Sequence, residues 1–126
     1  MKYYETSFDD YLKSNNLYNI HPELEEIQNR LPRSANQMEN IIVYGPPGVG
    51  KYTQTLKIIS KYSESLLKYD KKLEILTDKQ DYIMRFSDIH YEIDMSLLGC
   101  NAKTLWHEIF FQIVDIVSTK KEKIGI

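Results

Sequence analysis

Gly45-Pro46-Pro47-Gly48-Val49-Gly50-Lys51-Tyr52-Thr53, entered from the apolar run Ile41-Ile42-Val43-Tyr44 and left through a helical pattern from Gln54 to Tyr62, decides how the chain is read. The order is strand, glycine loop, helix. In a phosphate-binding loop of the form G-x-x-x-x-G-K-[ST], glycines let backbone N–H groups converge on phosphate oxygens. The helix N-terminus adds positive potential and the lysine reaches the outer phosphates. Gly45, Gly48, Gly50 and Lys51 fit those roles. The residue after the lysine, where a hydroxyl ligates Mg²⁺, is Tyr52, and the hydroxyl arrives one residue late as Thr53. Nucleotide binding is expected, and hydrolysis is not.

The glycine–lysine skeleton can also arise by chance, so its context carries weight. The β-branched run stops at Gly45, Pro46 and Pro47 forbid its continuation, and Leu56, Ile59 and Tyr62 recur at helical spacing. Strand, turn and helix are the setting the motif requires.

Working outward, 126 residues make one domain and too little for two ordinary ones. With 42% hydrophobic and 27% charged residues the chain reads as globular and soluble. A net charge of −2 gives no overall basic signature, so any nucleic-acid contact must come from a local patch. The single Cys100 excludes an internal disulfide and fits a reducing compartment. No apolar stretch is long enough to span a membrane, and Lys2, Glu5, Asp9 and Asp10 do not make a signal peptide, so an intracellular location is expected.

Upstream of the loop, Ser7-Phe8-Asp9-Asp10 resembles a capping box opening a short helix with Phe8, Tyr11 and Leu12, which Asn15-Asn16 breaks. Pro22, the acidic first turn Glu23, Glu25 and Glu26, and the stripe Leu24, Ile27, Leu31 predict a second helix ending at Pro32. Arg30 and Arg33 near its end offset the helix dipole.

Downstream, Lys68, Lys71 and Lys72 read as solvated surface, with a nucleic-acid backbone contact as the alternative. Leu73 to Leu76, Tyr82 to Phe86 and Tyr91 to Met95 are strand candidates. In the last, His90, Glu92 and Asp94 share a face expected to be solvated. Asn101 is placed to cap a helix over Ala102 to Ser118, whose broad stripe of Leu105, Trp106, Ile109, Phe110, Ile113, Val114 and Val117 predicts core or interface. His107-Glu108 begins like a zinc-protease motif, but residue 111 is Phe. His21, His90 and His107 show no metal-ligand spacing. Cys100 is expected to be a buried thiol, and Ile124-Gly125-Ile126 looks like a strand just beginning.

Leu31-Pro32, the run Ile41 to Lys51, and His90-Tyr91-Glu92-Ile93-Asp94 with Gly99 together resemble the N-terminal half of an AAA+ module of the clamp-loader type, a small subunit of replication factor C. The resemblance covers residues 20 to 126. It implies an α/β P-loop NTPase fold, a three-layer αβα sheet that is incomplete because the chain ends before the strand carrying the acidic Walker B residues. It divides the chain into an N-terminal extension, 1–20, and a partial nucleotide-binding core, 21–126. Gly45, Pro46, Pro47, Gly48, Val49, Gly50, Lys51, Tyr52 and Thr53 would hold ATP, with Thr53 toward Mg²⁺. Partners would be sister loader subunits, the sliding clamp and primer-template DNA, with no membrane.

The loop is also similar to that of adenylate kinases, in which one residue separates the lysine from Thr-Gln. Those enzymes need several arginines around the transferring phosphoryl group, and this chain has Arg30, Arg33 and Arg85. A non-catalytic interaction module with a vestigial nucleotide site is a further alternative. The resemblance places Ile41–Tyr44 in mid-sheet, between strands that would lie beyond Ile126. The isolated chain is therefore expected to be molten or to associate through exposed strand edges.

Overall fold

The computed structural model describes residues 6–78 and 81–126; Lys2 and Glu5 lie outside them. The chain forms two compact units, Met1–Tyr69 and Asp70–Ile126.

The first unit is helical. α1 (Phe8–Leu17) starts at the expected capping box: Asp10 N–H donates to Ser7 Oγ at 3.2 Å, and Ser7 N–H donates to Asp10 Oδ2 at 3.2 Å. Contrary to expectation, Asn15 and Asn16 do not break this helix. Asn15 is 6% exposed, and its side-chain oxygen accepts from Gln54, a long-range bond that offsets its weak helix propensity. A 3-10 turn, Pro22–Leu24, leads into α2 (Glu25–Arg30). The expected apolar stripe of α2 is corrected at Ile27, which is 60% exposed, while Gln28 turns inward. α3 (Lys51–Ser60) buries Leu56 and Ile59, and edge-to-face packing of Tyr52 on Tyr11, 5.0 Å between centroids, ties it to α1.

The expected strand at Ile41–Tyr44 is not formed. The segment enters no sheet, and Ile42 and Tyr44 are 91% and 95% exposed. A strand needs a neighbour to take its backbone hydrogen bonds, which local β-propensity does not supply. At the other end of the unit, Leu66 and Leu67 both have positive φ, 54° and 58°, in a turn closed by Lys68 N–H donating to Ser65 O. A left-handed conformation costs a residue with a Cβ about 1–2 kcal/mol. Burial of Leu67 and the bond from its N–H to Ser63 Oγ, 3.0 Å, offset that cost.

The second unit is a three-stranded sheet with a helix. β1 (Lys71–Ile75) and β2 (Tyr82–Phe86) pair antiparallel with Leu73 opposite Met84, and β2 pairs antiparallel with β3 (Tyr91–Glu92). On β2 the alternation is plain: Tyr82 and Met84 are buried and Ile83 is 61% exposed. β3 is shorter than the expected 91–95. Asp94 instead caps a 3-10 turn, Met95–Leu97, by accepting from Ser96 N–H at 3.0 Å. α4 (Ala102–Ser118) keeps its expected bounds and seats Leu105 and Ile109 in a core with Ile75, Tyr82, Met84 and Leu98. Each such buried side chain stabilises the fold by about 1.5–3 kcal/mol. Of the rest of its stripe, Ile113 packs against that core and Val117 is half-buried, while Trp106, Phe110 and Val114 are exposed. Asn101 precedes α4 but its side chain makes no cap.

After α4, Ile126 N–H donates to Ile89 O and Tyr91 N–H donates to Ile126 O, both at 2.9 Å. One residue bonded to the two neighbours of His90 is the pattern of a parallel pair, with α4 as the crossover.

Candidate phosphate-binding loop

The loop from Gly45 to Gly50 ends as a left-handed turn opening directly into α3. Gly48 has φ +76° and Gly50 φ +89°, conformations that only glycine adopts without strain. Gly50 is the N-cap of α3 and offers no capping side chain. Among the described residues, the N–H groups of Gly48, Val49 and Gly50 donate to no backbone carbonyl. Successive free N–H groups at a left-handed turn, on the positive end of a helix dipole, make an anion cradle.

Lys51 closes the loop. Its ammonium donates to Gly45 O at 2.6 Å and Pro46 O at 2.7 Å. A Cβ on Gly45 would lie 3.4 Å from Val49 Cγ2 and 3.7 Å from Lys51 Cδ, ordinary contact distances, so the lysine stem packs along this residue without requiring a glycine there. The expected phosphate contacts, Gly45 through Lys51, are thus contiguous in space. Tyr52 belongs to the packing of α3 on α1. Thr53 is half-buried. These residues fit a polyphosphate. For Mg²⁺ they supply the Thr53 hydroxyl, and no group of three His, Cys, Asp or Glu side chains able to hold a metal occurs among the described residues. Mg²⁺ bound through one side-chain oxygen must draw its other ligands from phosphates and water.

Sequence reasoning missed what holds the loop from behind. The segment before α2 lies on it: His21 Nε2 is 2.6 Å from Val49 O, and a Cβ on Gly50 would meet Ile20 Cδ1 at 3.2 Å. Beneath, Gln54 is 3% exposed and joins all three helices. Its Oε1 accepts from Gln28 at 3.0 Å, and its Nε2 donates to Asn15 Oδ1 at 3.2 Å and Asn19 Oδ1 at 3.1 Å. Asn19 passes the network on to Glu25, which also takes Lys57. The Glu25 carboxyl is held below its usual range, first by the Asn19 bond and then by Lys57. Four amides scattered over forty residues give no sequence signal, because their meeting is tertiary.

Other expected chemistry resolves into structure. His90 is buried, not on a solvated face: Ser87 Oγ lies 2.5 Å from its Nδ1 and Glu92 Oε1 lies 3.0 Å from its Nε2. Serine, histidine and carboxylate in a row suggest nucleophilic catalysis, but Ser87 is 1% exposed and its oxygen accepts from the N–H groups of Ile89 and His90. That is a locked turn. The ring of Phe111 packs on His107, 4.7 Å between centroids, where a zinc motif would have its second imidazole. Cys100 is exposed, not buried. Arg30 pairs with Glu26 and Arg85 with both oxygens of Asp70. Lys68, Lys71 and Lys72 are exposed. Among the described residues no helix is long and apolar enough to cross a membrane.

Comparison of the chain with family models, curated proteins and solved structures finds no match to any of them.

Proposed function

We propose that this chain binds the polyphosphate of ATP on Gly45–Lys51 and does not hydrolyse it alone. The carrying observation is the left-handed pair Gly48 and Gly50 at the open N-terminus of α3, with the Lys51 ammonium on the same loop. The backbone N–H groups of the loop would take phosphate oxygens, Lys51 would exchange its two carbonyl partners for phosphate, and Thr53 is the hydroxyl available to a Mg²⁺ carried in with the nucleotide. Hydrolysis also requires a group that orients the attacking water and acidic metal ligands. Tyr52 occupies the position of the first metal hydroxyl. The kinase alternative is disfavoured because the chain has three arginines, Arg30, Arg33 and Arg85, and Arg85 is bound to Asp70.

By the resemblance of its sequence, the chain would act as an ATP-binding subunit of a DNA clamp loader, alongside sister subunits, the sliding clamp and primer-template DNA. Exposure of the apolar Ile41–Tyr44 segment supports a role within an assembly, since such a segment gains stability when another strand covers it.

Calorimetric titration with Mg-ATP and a steady-state ATPase assay test this together. The expected result is saturable binding with turnover well below the ordinary enzyme range of about 1 s⁻¹. Turnover within that range, lost in Lys51→Ala, overturns the non-hydrolysing reading.

A further inference from the structure

His21 lies outside the glycine motif, yet its ring makes two contacts that bear on the loop. Nε2 is 2.6 Å from Val49 O and Nδ1 is 2.9 Å from Glu23 Oε1. Both partners, a carbonyl and a carboxylate, are pure acceptors. A neutral imidazole has one N–H and satisfies one of them; an imidazolium donates to both.

The Val49 contact matters for geometry. A trans peptide points its C=O and the following N–H in opposite directions. By holding the Val49 carbonyl toward itself, His21 turns the Gly50 N–H away from the ring. The ring is anchored in turn: His21 N–H donates to Asn19 Oδ1 at 3.0 Å, and the same oxygen accepts from Gln54 of α3.

We propose that His21 is a positioning residue of the phosphate loop, acting through the Val49–Gly50 peptide, and that its protonation strengthens polyphosphate binding. This rests on the phosphate-loop reading above. The charged groups around it are Glu23 on its own turn, Glu25 of α2 held by Asn19, Lys57 of α3 paired with Glu25, and Lys51 folded onto Gly45 O and Pro46 O. Glu23 alone of these is in contact with the ring among the described residues. The Val49 carbonyl first, and then Glu23, raises the His21 pKa above its ordinary range, while the Glu23 carboxyl is held below its own first by its backbone N–H and then by His21. The sign follows. Protonated His21 is favoured toward lower pH, so affinity is greatest there and falls as pH rises through the raised pKa, when one of the two contacts loses its proton.

The test is the ATP affinity of the full chain from pH 6 to pH 9, for the unmodified protein and for His21→Gln. Their difference at each pH cancels the ionisation of ATP itself. The unmodified protein is expected to weaken across this range by about tenfold relative to the variant, the worth of one charge-assisted hydrogen bond. By linkage, ATP must also raise the titration midpoint of the His21 ring signals in the NMR spectrum of the unmodified protein, a readout that needs no variant to fold. Binding with superimposable pH profiles, or a His21 midpoint unmoved by saturating ATP, overturns the role of His21 alone. Absence of ATP binding by the unmodified protein at every pH overturns the phosphate-loop reading and this inference with it.

Discussion

Replacing Lys51 with Ala is expected to weaken ATP binding by about two orders of magnitude, which for a weak site removes measurable binding. Among the side chains of Gly45–Thr53, Lys51 carries the one cation. In the structure its ammonium bonds two loop carbonyls, those of Gly45 and Pro46. A hydrogen bond to a charged group contributes about 1.5–3 kcal/mol, and an ammonium facing several phosphate oxygens stands at the upper end. Each 1.4 kcal/mol is about tenfold in affinity. The effect on fold is expected to be smaller, because the lysine is half-buried and one of its two carbonyl partners is on exposed Pro46. Parallel calorimetric titrations check this; equal affinity in the two proteins removes the loop from the site.

The second large effect is on stability. Gln54→Leu is expected to destabilise the first unit by about 2–5 kcal/mol, a large fraction of the 5–15 kcal/mol available to a domain. Leucine approximates the volume of glutamine but cannot answer Gln28 Nε2 or Asn15 Oδ1, both on residues less than 10% exposed. Each buried group left unpaired costs about 1–3 kcal/mol. Asn16→Ala, on an exposed neighbour in the same helix, is the control and should change stability by no more than about 0.5 kcal/mol. Urea unfolding of the two variants separates these outcomes. A loss below about 1 kcal/mol for Gln54→Leu would mean that water reaches the amides and the network does not hold the helices.

What could be read from the sequence was local. The capping box at Ser7, β2 at Tyr82–Phe86 and α4 at Ala102–Ser118 were legible because cap chemistry, alternation and helical periodicity act over a few residues. The glycine loop was legible for the same reason: the φ of Gly48 and Gly50 is a property of those residues. Features settled by distant partners were not. Ile41–Tyr44 has the β-branched composition of a strand, but a strand exists only with a neighbour, and none pairs with it among the described residues. Asn15 looks like a helix breaker until Gln54 arrives from 39 positions away to bond it. Gln28 takes the inward place expected of Ile27 because the facing side chain is that same amide. His90 alternates onto what reads as a solvated face, yet Ser87 and Glu92 satisfy both ring nitrogens and make its burial inexpensive. His21 was passed over because its role lies in a contact with Val49, 28 positions on.

Amide chemical-shift mapping during titration with Mg-ATP asks whether phosphate oxygens are received by the backbone between Gly45 and Lys51. The N–H signals of Gly48, Gly50 and Lys51 are expected to move together and saturate, with adenosine at the same concentrations leaving them in place. Saturable shifts confined to residues outside 45–53, or equal shifts with adenosine, would contradict it.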